Sequence, residues 1–130
     1  MRMNVERFSR PADEHYFANL RAHDAPSTLR GLDEMVLVVR GGGGLHATRV
    51  YLRAGDDERW RSPEIPLTNE WVEHRVPIEA FGRQTGGRLH WQAATWEEPD
   101  RITMLQIKVG YAINTIESTG HIDVLSIDFR

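Results

Sequence analysis

The 130-residue chain predicts an all-β fold, an antiparallel β-sandwich of two sheets, on the basis of three observations. Short segments alternate apolar and polar residues with a period of two, which is typical of strands with one buried face. Glycine, proline, asparagine and aspartate separate these segments and mark turns. A chain of this length buries roughly two-thirds of the surface it exposes when unfolded, which is enough for one core. We therefore expect residues 1–130 to form a single sandwich domain, with an irregular or atypical N-terminal segment over residues 1–14.

The first candidate element, in the segment RPADEHYFANLRAH over residues 10–23, is compatible with two structures. Pro11 followed by Asp13 and Glu14 is typical of the first turn of a helix. The apolar residues from Tyr16 onwards also recur at every second position, as they do in a strand with one buried face. The pattern alone leaves both structures open.

Five later segments predict strands in chain order. The first, LDEMVLVVR over residues 32–40, is a short apolar run rich in valine. The second, ATRVYLRAG, alternates strictly and places Thr48, Val50 and Leu52 on one face. The remaining three are EWVEHRVPI, ITMLQIKVG and HIDVLSIDF, whose predicted inward residues are Val72, His74, Val76 and Ile78, then Leu105, Ile107 and Val109, then Leu125, Ile127 and Phe129. Successive strands of this kind predict an antiparallel sandwich or barrel.

Four consecutive glycines, Gly41 to Gly44, connect the first two of these strands in the stretch VVRGGGGLHATRVYLRAG. A loop that cradles a phosphate is followed by a helix and ends in Gly-Lys-Ser or Gly-Lys-Thr. Here an alternating strand follows the glycines, and no such lysine is present. Because glycine supplies the positive φ angles of hairpin turns, we predict a turn that reverses one strand into the next.

The composition argues against several classes of protein. A net charge of −3 does not suit a dedicated nucleic-acid binder, which is usually basic. The absence of cysteine excludes disulfides, a thiol nucleophile and a cysteine-ligated zinc site. No apolar run approaches the ~18 residues of a membrane span, and MRMNVERFSR lacks the apolar centre of a signal peptide. We expect a soluble chain that is cytoplasmic or excised from a longer secreted protein, and the oligomeric state stays open.

No motif in the sequence indicates catalysis or a cofactor. The six histidines show neither a His-x-x-x-His nor a His-Glu-x-x-His pattern, so we predict no metal centre of this kind. No serine lies in a nucleophile elbow. We therefore predict a protein that is not an enzyme and needs no cofactor. Asp123 and Asp128 leave a structural calcium ion as one option, because calcium takes carboxylate ligands, and surface solvation as the other.

Three motifs, taken in order, resemble a known family. The segment YFANLRAHDAPSTLRGLDEMVLVVRGGGG resembles a strand, a "dLrgydgL" link and an "L-V-x-V-x-G-x-G" strand and turn. The segment EWVEHRVPIEAF resembles the signature Trp-x-x-x-x-(Val/Ile)-Pro-(Ile/Leu)-x-x-Phe, in which Trp71, Pro77 and Phe81 are fixed points. The segment GHIDVLSIDF resembles the closing strand. The family is that of the complex I intermediate-associated proteins, whose galactose-binding-like jelly roll is shared by carbohydrate-binding modules.

This resemblance covers residues 16–129 and adds expectations that the pattern alone does not supply. It implies a jelly-roll sandwich, a strand over residues 15–22 and a buried Trp71. It also implies that the opening strand of the family is missing or replaced by MRMNVERFSRPADE. Its motifs are structural, and many functions occur on the same sandwich, so the resemblance leaves the function open.

The candidate ligand-binding site lies on the outward faces of the predicted strands. Arg49, Tyr51 and Arg53 share one face, and we expect Arg75 and Gln106 to complete a shallow polar groove with them. Aromatic rings stack on the C–H faces of sugars, planar polar groups pair with hydroxyls, and arginine pairs with carboxylates. The full predicted set of ligand-binding residues is Arg49, Tyr51, Arg53, Trp60, Arg75, His90, Trp91 and Gln106. A solvated sheet face is the alternative interpretation.

Three functions are compatible with these observations. The first is a non-catalytic module that binds a carbohydrate or another small polar ligand through this groove. The second is a protein-interaction or assembly factor, which would expose an aromatic patch such as Trp91 and Trp96. The third is a small-molecule tailoring enzyme, which would need a closed pocket with an ionisable residue of perturbed pKa. We expect neither nucleic acid nor a membrane as a partner.

Overall fold

The protein consists of strands and one short 3₁₀ helix, Ile78–Ala80, in the residues that the structure describes. The structure, a computed structural model, describes residues 2–5, 17–20, 26–54, 58–84, 91–93, 102–109, 113–114 and 119–130. The strands are β1 (Arg2–Val5), β2 (Phe17–Leu20), β3 (Glu34–Gly43), β4 (Ala47–Ala54), β5 (Glu58–Arg61), β6 (Ile65–Pro66), β7 (Val72–Pro77), β8 (Gly82–Gln84), β9 (Trp91–Ala93), β10 (Met104–Lys108) and β11 (Gly120–Phe129). Within these ranges, no helix is long and apolar enough to cross a membrane.

Two antiparallel sheets enclose the core, which confirms the predicted all-β sandwich. The smaller sheet has the strand order β1-β11-β3-β7, and the larger sheet has the order β2-β10-β4-β5-β8-β9 with β6 paired to β4. Consecutive strands β3 and β4 belong to different sheets, so the chain crosses the sandwich between them. Fully buried aliphatic side chains from both sheets, such as Leu37 and Leu52, form one continuous core cluster.

The predicted alternation of the central strands is confirmed. Val50 and Leu52 of β4 are completely buried, as are Leu105 and Ile107 of the neighbouring strand β10. Apolar side chains on alternate positions of adjacent strands therefore meet in the core, because successive side chains of a strand point to opposite faces. The residues between them point to the outer face of the larger sheet, where the candidate site lies.

The glycine run does not form the predicted hairpin. Gly41, Gly42 and Gly43 are the last residues of β3 and pair with the start of β11, whereas β4 continues in the other sheet. Gly43 has a φ of 72°, and a Cβ atom on it would lie 2.6 Å from the carbonyl oxygen of Thr119. The glycines allow β3 and β11 to approach closely before the chain crosses to the larger sheet, which a hairpin would not require.

A β-bulge in β11 changes which of its residues face the core. The register between β11 and β3 shifts between Val124 and Ser126, so Leu125 has no partner on β3. Val124 before the bulge and Ile127 after it both pack on the core, while Leu125 is 67% exposed. The prediction that Leu125 faces inward is therefore wrong, because one extra residue reverses the alternation of the strand.

The N-terminal segment is more regular than predicted. Residues 17–20 form β2, which confirms a strand within the range 15–22. Residues 2–5 form β1 at the edge of the smaller sheet, so of the two expectations, irregular or atypical, the first does not apply to these residues. Two hydrogen bonds from Arg2 to the carboxylate of Asp123, of 2.6 and 2.9 Å, attach this edge strand to β11.

Trp71 is 42% exposed, so the expectation that it is buried is wrong. Its neighbour Val72 lies opposite the core residue Val39, and alternation then directs the indole to the outer face. There the guanidinium of Arg40 lies 4.6 Å from the centroid of the indole ring, a cation–π contact. The ring thus packs on a charged residue of the smaller sheet instead of on the core.

Asp123 connects these features and gives the fold a pH-dependent contact. Its side chain is 7% exposed and accepts hydrogen bonds from Arg2 and from Arg40 at 2.8 Å. The hydrogen bonds from Arg2 hold the pKa of the Asp123 carboxyl well below its ordinary value of 3.8, and Arg40 acts in the same direction against the effect of burial. Two guanidinium groups therefore occupy the carboxylate that was one candidate calcium ligand.

We expect Asp123→Asn to lower the urea midpoint of unfolding at neutral pH. A carboxyl whose pKa is lower in the folded than in the unfolded state stabilises the fold above the unfolded value, and this stabilisation is lost as the pH falls. The difference between wild type and variant should therefore shrink progressively below pH 3.8. Urea unfolding across this pH range measures it. Asp128→Asn is the matched control, because Asp128 and its partner Arg130 are both more than half exposed. A constant difference at all pH values would contradict the assignment.

Candidate functional site

The outer face of the larger sheet carries a group of polar side chains from three adjacent strands. We call this group the polar face, and it comprises Arg49, Tyr51 and Arg53 of β4, Arg61 of β5, and Gln106 and Lys108 of β10. The register pairs Tyr51 with Gln106 on one side and with Arg61 on the other. It also pairs Arg49 with Lys108. Paired residues of adjacent strands point to the same face, so these side chains are direct neighbours.

Tyr51 is the centre of the polar face. The ammonium group of Lys108 lies 4.4 Å from the centroid of the tyrosine ring, a distance at which cation–π attraction is effective. On the opposite side Arg61 is paired with Tyr51 in the register of β4 and β5, and hydrogen bonding to the tyrosine raises the pKa of the Arg61 guanidinium against the effect of burial. One aromatic ring thus lies between two cationic side chains from the two flanking strands.

Several residues of the polar face are buried even though they point away from the core. Tyr51 is 9% exposed, Gln106 5% and Lys108 8%. Lysine and glutamine are rarely buried to this extent, since removing a polar group from water is costly unless the group is paired. Sheltered polar groups that converge on one aromatic ring are typical of sites that recognise polar ligands.

Ser62 fixes the position of Arg49. The Ser62 hydroxyl accepts a hydrogen bond from the Val50 amide at 3.0 Å, and the Ser62 amide donates to the Val50 carbonyl at 2.9 Å. The Arg49 guanidinium donates to the Ser62 carbonyl at 3.2 Å and approaches the Glu64 carboxylate at 3.5 Å. Arg49 therefore lies along the edge of the polar face, with one carboxylate beside it.

Asn114 anchors the end of the sheet next to the site, and sequence reasoning did not single it out. Its side-chain amide donates to the carbonyls of Val109 at 2.8 Å and Ala47 at 3.0 Å. Its oxygen accepts from the amides of His46 at 2.8 Å and Ala47 at 3.2 Å. The 3%-exposed side chain thereby ties the start of β4 to the end of β10. A single asparagine carries no sequence signal for such a role.

Burial and a neighbouring positive charge both act on Arg61 of the polar face. Burial lowers the pKa of the Arg61 guanidinium below its ordinary value, and the charge of Arg49 acts in the same direction. Hydrogen bonding of the guanidinium to the Tyr51 oxygen and the charge of Glu64 oppose these effects. An electrostatic interaction between sheltered charges is stronger than one in bulk water, because the local dielectric constant is lower.

The structure unites four of the eight predicted site residues. Arg49, Tyr51, Arg53 and Gln106 share the polar face, as the alternation predicts. Arg75 does not join them, because it lies on β7 of the smaller sheet, where it pairs with Glu34 and Glu73. The expectation that Arg75 shares their face is therefore wrong: alternation defines a face of a strand without defining which sheet the strand joins.

Trp60 is not on the polar face either. It lies opposite Leu52 in the register between β4 and β5, and its side chain is completely buried in the core. Its indole ring lies 5.4 Å from the guanidinium of Arg83 on β8. The placement of Trp60 beside the groove is thus wrong. His90 and Trp96 lie outside the described residues, and for Trp91 the structure describes the backbone in β9 but not the side chain.

The part of the chain that the structure describes contains no candidate metal centre. In these ranges, no three His, Asp or Glu side chains converge as metal ligands would.

Comparisons with known protein-family models and with curated proteins find no match for this chain. The resemblance to the complex I intermediate-associated proteins thus stays a prediction from the sequence motifs.

Proposed function

We propose that this protein is a non-catalytic binding module whose ligand, a carbohydrate, binds on the polar face. The observation that supports this most is the arrangement around Tyr51, where Gln106, Lys108 and Arg61 converge from two flanking strands. Planar and charged donors of this kind pair with sugar hydroxyls and acidic groups. The sequence motifs imply a jelly-roll architecture, which would suit such a module, and we propose this architecture together with the function.

The polar face has the chemistry for recognition, while the reacting groups for catalysis are not evident among its described residues. Its described side chains are guanidinium, ammonium, amide and phenol groups, with Glu64 at the edge. A glycosidase needs two carboxyl groups that flank the bond to be broken. We therefore propose binding as the function of this face, not hydrolysis.

Amide chemical-shift mapping by NMR with a panel of neutral and acidic oligosaccharides tests this proposal. We expect one class of sugar to shift the amides of β4, β5 and β10, with saturation in the millimolar-to-micromolar range that shallow sites reach, a dissociation constant of about 10⁻³ to 10⁻⁶ M. Tyr51→Leu should weaken this binding, because it keeps an apolar side chain but removes the ring beside Lys108 and the hydroxyl beside Arg61. Shifts confined to the smaller sheet, or no shifts with any sugar, would refute the proposal.

A second candidate function, protein interaction, is favoured by a specific observation on the smaller sheet. Trp71 and Leu125 are the exposed large apolar side chains in the described ranges, at 42% and 67% exposure. The Arg40–Asp123 pair lies next to both, since Arg40 stacks on Trp71 and Asp123 precedes Leu125 by two residues. An apolar pair around an ion pair resembles the centre of a small interface. With this function, the Tyr51→Leu variant would behave like wild type in every sugar titration.

A further inference from the structure

Strand β7 forms an open edge of the smaller sheet. Among the residues that the structure describes, β7 pairs with β3 on one side and with no strand on the other. Its six residues make it the longest edge strand in these ranges, and the exposed Trp71 directly precedes it. An edge strand presents a row of N–H and C=O groups that can pair with another chain.

The hydrogen-bond pattern of the sheet defines which backbone groups of β7 point to this open edge. In an antiparallel ladder, bonded residue pairs alternate with non-bonded ones. The Ile78 amide donates to the Asp33 carbonyl at 2.9 Å, so bonded pairs with β3 recur at every second residue and include that of His74. The backbone N–H and C=O groups of Glu73 and Arg75 therefore point away from β3, toward the open edge.

The side chains at these two positions carry opposite charges. The Glu73 and Arg75 side chains are 52% and 57% exposed and form an ion pair at 3.2 Å. Arg75 also approaches the Glu34 carboxylate at 3.2 Å. Charges of one sign on an edge strand hinder pairing between copies. Opposite charges that are two residues apart are instead complementary to themselves when two such strands run antiparallel.

One antiparallel register between two copies of β7 brings these charges into complementary positions. The residues whose backbone groups point to the edge must face each other, so the two-fold axis passes through residue 73, 74 or 75 of this segment. An axis at Glu73 or at Arg75 places like charges opposite each other. An axis at His74 places Glu73 opposite Arg75 of the second copy. Each carboxylate then lies between two guanidinium groups, and the ion pair within each chain is kept.

The other residues of β7 also suit this register. The exposed Trp71 lies opposite the exposed Pro77 of the second copy, which shields apolar surface at both ends of the paired segment. On the inner face, Val72 lies opposite Val76 of the second copy. Burial lowers the pKa of the His74 imidazole below its ordinary value of 6.5. The two imidazoles at the axis are therefore largely neutral at pH 7 and do not repel each other.

From this arrangement we infer that β7 is a self-association edge. Two copies of the chain pair their β7 strands antiparallel about a two-fold axis at His74, and two four-stranded sheets join into one continuous sheet. The inference goes beyond the proposed function and does not depend on it, because the polar face lies on the larger sheet. Ligand binding on that face and pairing at this edge are compatible.

Sedimentation equilibrium of the full chain, from about 10 µM to about 1 mM, tests the inference. We expect a reversible dimer with a dissociation constant of about 10⁻⁵ to 10⁻³ M, the weak range of a small interface. Glu73→Arg should weaken the dimer about tenfold or more, since it places like charges opposite each other across the axis. Combining it with Arg75→Glu exchanges the two charges and should restore the dimer. Glu64→Arg is the matched control, because Glu64 is 51% exposed and pairs with Arg49 of the larger sheet.

Single-cysteine variants locate the axis, since the chain has no cysteine of its own. His74→Cys brings two thiols to a non-bonded pair across the axis, with Cα atoms about 4.5 Å apart, which suits a disulfide. Glu73→Cys places its thiols diagonally, with Cα atoms about 7 to 8 Å apart, which is too far. We expect oxidation to cross-link His74→Cys faster, although position 73 is the more exposed and random collision would favour it.

The outcomes separate this inference from the carbohydrate proposal. A wild-type chain that stays monomeric at about 1 mM would refute the inference, as would a dimer that Glu73→Arg leaves unchanged. Faster cross-linking of Glu73→Cys would overturn the axis at His74. Urea unfolding of each variant shows that the fold is kept, and the charge-exchange variants test the same register without a cysteine. None of these results changes the expected sugar titration, which reports on the larger sheet.

Discussion

Gly43→Ala is expected to destabilise the protein by about 3 to 5 kcal/mol, because two independent costs fall on this one position. Gly43 has a φ of 72°, in the left-handed region where a side chain strains the backbone. A Cβ atom would also lie 2.6 Å from the Thr119 carbonyl oxygen and 2.7 Å from the Gly120 Cα atom. These are backbone atoms of the adjacent strand, so β11 itself would have to move.

Gly31→Ala is the matched control for this prediction. Gly31 has a similar φ of 79°, but a Cβ atom there would have no neighbour within 4 Å. Its cost is therefore the backbone strain alone, about 1 to 2 kcal/mol. Urea unfolding of both variants separates the two contributions. Equal destabilisation would mean that the close approach of β3 and β11 adds nothing.

The pairing of Gly41–Gly43 with β11 shows why the hairpin predicted from the sequence does not form. A run of glycines followed by an alternating strand indicates a turn, and it indicates nothing about which sheet the next strand joins. The actual partner of Gly41–Gly43 is β11, about eighty residues later in the chain. Pairing over such a distance depends on the assembly of the whole sandwich, which no local pattern encodes.

The polar face was partly predictable for a related reason. Alternation along β4 and β10 is local, and it correctly places Arg49 and Tyr51 together on the side away from the core, with Gln106 on the same side of β10. Lys108 lies on the same side of β10, but its burial and its contact with Tyr51 arise only from the register between the two strands. Arg75 had the same local pattern, yet its strand joins the other sheet.

Leu125 and Trp71 both face the opposite way from what their sequence motifs predict. The bulge at Leu125 inserts one residue, so the alternation after it is reversed relative to the alternation before it. The sequence HIDVLSIDF is compatible with either alternation and does not show where the bulge lies. Trp71 was assigned to the core from a motif resemblance, although the alternation of its own segment directs it to the face of the strand that Val72 does not occupy.

Trp60→Ala is expected to cost about 3 to 5 kcal/mol of stability, because it removes a large, fully buried ring from the core. Trp71→Ala is the matched control within the same chain. Its indole is 42% exposed and contacts Arg40 by a cation–π interaction, so its loss should cost about 1 kcal/mol or less. Thermal and urea unfolding of the two variants measure this contrast.

Stability and sugar binding of the Trp60 variants distinguish a core residue from a ligand contact, because the two roles predict opposite effects. A core residue loses stability on truncation, whereas Trp60→Phe should recover much of that stability by refilling the space beside Leu52. If Trp60 instead contacted the ligand, Trp60→Ala would leave the unfolding midpoint almost unchanged and abolish sugar binding. Since β5 contributes only four residues, ERWR, its facing cannot be established from periodicity and depends on its register with β4. A stable Trp60→Ala variant without sugar binding would therefore overturn this register, and with it the position of Arg61 on the polar face.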